Sequence, residues 1–181
     1  MSNYDVLVND RSLNIVNLIN EKLIFFGERH VHSGDTNVIK KIIKVTEPDY
    51  VLVEGLGDLI LQTKTNKIKA SKIKEDDLFQ GGLTKWWIDI ALEFEDVPFI
   101  GFELTDQDDL KDATLAKKFK ARENHWIKII KRYATSNAHV LVICGDTHLR
   151  TISTKELGDP SPLYKSFPNA VFIRSPNPEI N

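Results

Sequence analysis

The chain has 181 residues, of which 41% are hydrophobic, with 24 basic against 26 acidic side chains. This length suits one domain with a sizeable core, and the near-balance of charge gives no reason to expect a nucleic-acid or anionic-membrane partner. The single cysteine, Cys144, excludes an intramolecular disulfide, and no apolar run approaches the roughly 20 residues of a membrane span. Residues 1–10 lack the pattern of a signal peptide, so we expect a cytoplasmic protein without a membrane partner.

Apolar runs alternate with amphipathic segments along the chain. Runs that are apolar throughout are typical of strands buried on both faces of a parallel sheet, whereas apolar residues spaced three and four apart indicate helices. The predicted strands are residues 4–8, 23–26, 50–53, 98–102, 139–144 and 170–174. The predicted helices are residues 12–19, 35–47, 58–64, 83–94 and 110–133. This alternation predicts a single α/β domain, residues 1–181, with a largely parallel central sheet flanked by helices.

Two turns with the same Gly-x-x-His pattern, GERH and GDTH, each follow a predicted strand. The first turn contains Glu28 and His30, and the second contains Asp146 and His148. Residues two apart in an extended segment point the same way, so the acid and the imidazole of each turn can reach a common point. We predict that the two turns face each other across one site.

Two further predicted strands end in glutamates, Glu54 and Glu103. Ligand sites of parallel sheets lie beyond the carboxyl ends of the strands, so we expect these four strand ends to converge. Two imidazoles and several carboxylates fit Zn, Mn or another divalent ion that holds a water at an open position. They fit equally well a water and a general base without a metal, because a His oriented by a Glu can remove a proton unaided.

Three other residues have roles that the sequence leaves open. Arg122 and Asn124 lie on the long helix predicted at 110–133, where a guanidinium could orient carboxylates or stabilise an oxyanion, or could simply be exposed. Cys144 with His148 as its base would make a nucleophile, but a buried thiol at a strand end is the more common arrangement. We therefore assign Cys144 to the core.

Two segments depart from the regular alternation. Residues 57–82 carry five lysines followed by three acidic residues, and we expect a lid-like insertion over the sheet, with phosphate contact as the alternative role of the lysines. Residues 159–181 hold five of the seven prolines, which indicates an extended, loop-rich C-terminal extension.

Taken in order, these residues resemble a known superfamily. The series GERH, Glu54, Glu103, Arg122, Asn124 and GDTH is similar to the pattern of the TraB/PrgY pheromone-shutdown proteins, Tiki proteases, erythromycin esterases and ChaN haem-binding lipoproteins. The resemblance covers residues 23–150. It implies an α/β core and a site made of Glu28, His30, Glu54, Glu103 and His148, with Arg122 and Asn124 in support. The Tiki branch implies metal-dependent peptide hydrolysis. The erythromycin esterase branch implies that a His-activated water opens an ester, and the ChaN branch implies ligand binding.

From the residues and the resemblance together we predict a hydrolase that attacks an amide or ester carbonyl of a peptide or small molecule. The predicted metal ligands, for Mn, Zn or Co, are Glu28, His30, Glu54 and His148. Glu103 and Arg122 complete the predicted catalytic set, with Arg122 on the developing oxyanion and Asn124 and Asp146 in support. The alternatives are a metal-free esterase with His30 as its general base and a module that binds a small ligand, haem or a partner protein in the same cleft. Assembly as a homodimer is left open.

Overall fold

The computed structural model describes residues 4–7, 15–29, 33–104 and 110–174. The described strands are β1 (Tyr4–Leu7), β2 (Leu23–Glu28), β3 (Tyr50–Val53), β4 (Ile60–Leu61), β5 (Phe99–Gly101), β6 (Val140–Gly145) and β7 (Val171–Arg174). The described helices are α1 (Ser33–Thr46), α2 (Lys64–Ser71), α3 (Gly82–Glu93), α4 (Leu115–Tyr133) and α5 (Leu163–Ser166). None of these helices combines the length and the apolar surface that crossing a bilayer requires.

The described strands form one sheet in the order β1-β7-β2-β6-β3-β5-β4. Every neighbouring pair is parallel except β4 and β5, which are antiparallel at one edge. The predicted α/β fold with a largely parallel sheet flanked by helices is therefore confirmed. β6 lies between β2 and β3, and it is buried along its whole length, as its continuous apolar run indicates.

Alternation of side chains along the strands divides the core into two layers. Ile24 and Phe26 of β2 pack on one face with residues of α1 and α3. Phe25 packs on the opposite face with Trp126 of α4 and Leu163 of α5. Each face of the sheet is therefore covered by helices, which is why the central strands read as unbroken apolar runs rather than as an alternating pattern.

The prediction of a helix at residues 58–64 is wrong. Residues Ile60–Leu61 form β4, and α2 begins only at Lys64. Thr63 sets this boundary because its hydroxyl oxygen accepts a hydrogen bond from the backbone N–H of Asn66 at 3.2 Å. The amide oxygen of Asn66 in turn accepts from the backbone N–H of Thr63 at 3.3 Å, which completes a capping box.

The long helix predicted at 110–133 begins five residues later than expected, at Leu115. Thr114 precedes it, and its hydroxyl accepts a hydrogen bond from the backbone N–H of Lys117 at 3.4 Å. A threonine in this position ends the preceding loop because it satisfies a donor that the first helical turn leaves open. Of the helix predicted at 12–19, Ile15–Leu18 form a single 3-10 turn, and residues 12–14 lie outside the described part.

The segment 57–82, predicted to be a lid-like insertion, contributes β4 and α2 to the edge of the sheet. One of its lysines, Lys67, is 0% exposed. Its ammonium group donates to the backbone carbonyls of Phe94 at 2.6 Å, Glu95 at 2.9 Å and Val97 at 2.7 Å. An ammonium has three donors and no acceptor, so Lys67 is fully satisfied in this position. These three hydrogen bonds connect α2 to the turn that leads from α3 into β5.

Replacing Lys67 with methionine is expected to lower the free energy of unfolding by about 2 kcal/mol or more, because three carbonyl oxygens lose their donor. Urea denaturation at equilibrium measures the change. Lys69→Met is the matched control, since Lys69 is exposed on the same helix. It should change the free energy by less than about 0.5 kcal/mol. Equal losses in the two variants would contradict a structural role for Lys67.

Candidate active site

The carboxyl ends of β2, β6 and β3 lie side by side and bring two predicted glutamates to the second Gly-x-x-His turn. Glu28, at the end of β2, is paired in register with Gly145 at the end of β6. From the other side, the Oε2 atom of Glu54 accepts a hydrogen bond from the backbone N–H of Gly145 at 2.7 Å. Glu28 is 3% exposed and Glu54 is 4% exposed. Two buried carboxylates therefore flank the strand end from which GDTH departs.

The two turns approach each other closely at Gly27 and Asp146. A β carbon added to Gly27 would lie 2.3 Å from the Oδ1 atom of Asp146 and 3.0 Å from its Cα atom. No real β carbon tolerates the shorter of these distances, so glycine at position 27 is required for the present position of Asp146. GDTH itself continues from β6 as a 3-10 turn, Asp146–Leu149.

His148 is buried and has four neighbouring side chains. Its ring stacks on Phe119, with ring centroids 4.4 Å apart and planes 17° apart, and it packs against Trp126 at 4.3 Å. Its Nδ1 atom lies 3.1 Å from the Oε1 atom of Glu123, and its Nε2 atom lies 3.7 Å from the Oε1 atom of Glu54. A neutral ring that donates from Nδ1 to Glu123 keeps its lone pair on Nε2, which is the arrangement of a general base.

Glu123 and Arg150, which are not among the predicted site residues, support this histidine. Glu123 is 0% exposed. The Nη1 atom of Arg150 donates to its Oε1 atom at 2.5 Å, and Nη2 donates to its Oε2 atom at 3.3 Å. Arg150 also donates from Nε to the backbone carbonyl of Asp159 at 3.0 Å. The guanidinium of Arg150 thus donates a hydrogen bond to each oxygen of the buried carboxylate and holds Glu123 next to His148.

A signal for Glu123 is present in the sequence. The inner face of α4 carries Phe119, Trp126 and Ile130 at helical spacing, and Glu123 lies in the same row. A charged residue inside an apolar stripe is rarely buried without a partner, so this position indicates an internal ion pair. The identity of the partner, Arg150, depends on the loop after β6 and has no comparable pattern.

Arg122 lies between the other two glutamates. Its Nε atom donates to the Oε1 atom of Glu103 at 2.9 Å, and its Nη2 atom donates to the Oε1 atom of Glu54 at 2.5 Å and also to the Oε2 atom of Glu103. Trp126 donates from Nε1 to Glu103 at 3.3 Å. Burial lowers the pKa of Arg122, but the hydrogen bonds and charges of Glu103 and Glu54 outweigh it and raise the pKa above its ordinary value. The guanidinium therefore stays charged and orients both carboxylates.

Cys144 lies beneath these groups at the end of β6 and is 0% exposed. Burial raises the pKa of its thiol well above the ordinary value, and the nearby carboxylates, Glu54 and Glu28 foremost, raise it further. The thiolate, which is the nucleophilic form, is therefore strongly disfavoured. Cys144 serves as a core residue, in agreement with its assignment from the sequence.

The predicted site also includes His30 and Asn124. His30 lies outside the described residues, so its place in the site stays a prediction. Asn124 is exposed on α4 and lines a groove that also includes Glu123 and Arg150. Ion pairs and hydrogen bonds of the described structure join the side chains of Glu54, Glu103, Arg122, Glu123, His148 and Arg150. The strand register places the backbone of Glu28 beside Gly145, next to this cluster.

The described donor set does not fit a metal ion. Among the described residues, no group of three or more His, Cys, Asp or Glu side chains is arranged to hold one. Glu54 is engaged by Arg122 and by the backbone N–H of Gly145, and a guanidinium on a carboxylate opposes a second cation there. The predicted ligand His30 lies outside the described part. The predicted metal site therefore stays a prediction.

The fold and site define an α/β domain with a buried, charged cluster beyond the carboxyl ends of parallel strands. No protein-family model matches the chain, and no curated protein matches its sequence. Among solved structures, RRSP, a MARTX toxin effector domain from Vibrio vulnificus CMCP6, aligns with a TM-score of 0.59 and 12% identity. That alignment covers 90% of this chain, which spans only 36% of the RRSP chain.

Two further solved structures are similar to the chain. The type III effector HopBA1 aligns with a TM-score of 0.51 and 16% identity, over 87% of this chain and 79% of that chain. ChaN of Campylobacter jejuni, a protein that binds haem cofacially, aligns with a TM-score of 0.48 and 16% identity, over 92% of this chain and 86% of the ChaN chain. The alignments with RRSP and HopBA1 show a shared fold. Membership with TraB, Tiki and erythromycin esterase proteins stays a prediction.

Proposed function

We propose that the chain is a hydrolase that attacks an ester or amide carbonyl with a water activated by His148. The observation that carries this proposal is the position of the His148 ring, whose Nδ1 atom faces Glu123 while Nε2 lies 3.7 Å from Glu54. A histidine oriented by a buried carboxylate is a common general base, and its site lies beyond the strand ends, where ligands of parallel sheets bind.

In the proposed reaction, a water bound near Nε2 of His148 and Glu54 gives a proton to Nε2 while its oxygen forms a bond to the carbonyl carbon. The carbonyl π electrons move to oxygen and form an oxyanion. The electron pair of the oxyanion then re-forms the carbonyl while the bond to the leaving group breaks, and His148 gives its proton to the departing alcohol or amine. Glu123 stabilises the imidazolium that exists between these two transfers.

Arg122 is the proposed donor to the oxyanion. Its hydrogen bonds to described residues use Nε and Nη2, which leaves Nη1 to donate to a substrate. Because Glu54 and Glu103 hold the guanidinium in place, this donor would need no reorganisation during the reaction, which is the condition for strong electrostatic stabilisation.

A panel of p-nitrophenyl esters and fluorogenic peptide amides tests the proposal, with protein assayed before and after chelation by EDTA. We expect turnover that survives chelation and a loss in kcat of about 10- to 100-fold in Glu123→Gln, because the neutral amide orients His148 less well. Glu93→Gln, at an exposed glutamate paired with Lys40, is the control and should leave kcat unchanged.

Two outcomes would overturn this form of the proposal. Activity lost on chelation and restored by Mn, Zn or Co would replace it with the metal-dependent hydrolase that the sequence predicts. Absence of turnover across the panel, with a ligand retained through purification, would favour a module that binds a small ligand, haem or a partner protein. The groove lined by Glu123 and Arg150 supports this second candidate, because its volume is large enough for a small ligand.

A further inference from the structure

A groove of about 600 Å³ lies between α4 and the segment that follows Arg150. Its volume falls within the range of about 300–1,000 Å³ that is typical of small-molecule sites. Ala116, Leu157, Pro160 and Pro162 supply apolar walls, and Glu123 and Arg150 also line it. The groove therefore shares with the candidate active site the ion pair that holds His148.

The charge of the groove is predominantly positive. Lys117 and Lys120 of α4 and Lys165 of α5 line it, and all three are exposed. None of them forms a salt bridge with another described residue. Of the two acidic lining residues, Glu123 is engaged by Arg150, which leaves only Asp159 to oppose three ammonium groups.

The sequence of α4 explains why these side chains meet. Residues 117, 120 and 124 are spaced three and four apart, so they share one face of the helix. Asn124, which is predicted to support the active site, belongs to this face and lines the groove. Its amide adds a neutral hydrogen-bonding group next to the two lysines.

We propose that this groove binds a small organic phosphate. Its apolar body would lie against Leu157 and the two prolines, and its phosphate would lie among the three lysines, which suit phosphate as compact point charges. Arg150 lines the same groove as these lysines and also forms the ion pair with Glu123. The bound phosphate would therefore compete with Glu123 for the guanidinium of Arg150. Occupancy therefore changes the hydrogen bond between Glu123 and Nδ1 of His148.

Calorimetric titration with 1-naphthyl phosphate at low ionic strength tests the site. We expect saturable binding at one site that weakens with added salt. Binding of 1-naphthol, which lacks the phosphate group, and of inorganic phosphate, which lacks the naphthyl group, should be weaker. The double variant Lys117→Glu/Lys120→Glu should bind at least about tenfold more weakly. Lys165→Glu, on a different helix, should weaken binding independently.

Lys128→Glu is the matched control, because Lys128 is exposed on α4 and does not line the groove. Its affinity should stay within about twofold of the unmodified protein. Absence of saturable binding, or an equal loss in the control, would overturn the site. The titration measures no turnover, so a failure to bind would leave the proposed hydrolase intact. Likewise, absence of hydrolase activity would leave the proposed phosphate site intact.

The coupling to His148 has its own measurement. In ¹⁵N-labelled protein, saturation with 1-naphthyl phosphate should shift the ring-nitrogen resonances of His148 and leave those of His139 unchanged, since His139 lies at the opposite end of β6. Binding without a shift at His148 would overturn the coupling, because linkage requires the groove and the ring to respond to each other.

Discussion

Replacing Arg122 with methionine is expected to lower the free energy of unfolding by about 3–5 kcal/mol, the cost of breaking a buried ion pair from one side. Arg122 is the cation that bridges Glu54 and Glu103, and each of these glutamates is 4% exposed. Methionine would fill part of the volume but leave two carboxylates with reduced compensation. Urea denaturation at neutral pH measures the loss.

Arg132→Met is the control for this prediction, because Arg132 is exposed in the last turn of the same helix. It should cost less than about 0.5 kcal/mol. Adding Glu103→Gln to the Arg122→Met background should recover part of the loss, since the amide removes one buried charge. Arg122→Lys, which keeps the charge but lacks the planar fork, serves if the methionine variant does not fold. Equal losses for the Arg122 and Arg132 variants would show that the bridge contributes nothing.

Replacing His148 with glutamine is expected to lower kcat by about a thousandfold on whichever ester or amide the protein turns over, because the reaction loses its proton acceptor. KM should change little, since the base acts in the transition state more than in substrate binding. Steady-state kinetics measure both values. The free energy of unfolding should be measured in parallel, because the His148 ring is packed between Phe119 and Trp126.

His139→Gln is the matched control. His139 precedes the first residue of β6, whereas His148 follows the last, so the two histidines lie at opposite ends of one strand. The control should leave kcat unchanged, although it loses a contact of 2.8 Å to the ammonium group of Lys22. A His148→Gln protein that is folded and retains full kcat would remove His148 from the mechanism.

The fold could be predicted from the sequence because the central strands are apolar throughout and the amphipathic helices alternate with them. The convergence of Glu28, Glu54 and the GDTH turn followed from the same logic, since parallel strands place their carboxyl ends at one edge. The strand order did not follow. Nothing in the sequence says that β6 lies between β2 and β3, the arrangement that places Gly145 between the two glutamates.

Buried charges were the least predictable part of the structure. Lys67 lies in a lysine-rich run that is typical of a solvated surface, and its burial depends on three carbonyls of a turn about thirty residues later. Arg150 pairs with Glu123 only because the loop after β6 folds back against α4. Such pairs are fixed by tertiary packing, and local sequence carries little information about them.

The position of β6 also determines when the molecule can assemble its site. β2 and β3 come from the first third of the chain, yet their neighbour in the sheet is formed by Val140–Gly145. During synthesis, these two strands emerge long before the strand that must insert between them. Pairing across such long loops is slow because chain entropy is lost before contacts are gained. The cluster around Gly145 therefore forms late, and until then two apolar strands present open edges that favour association with other chains.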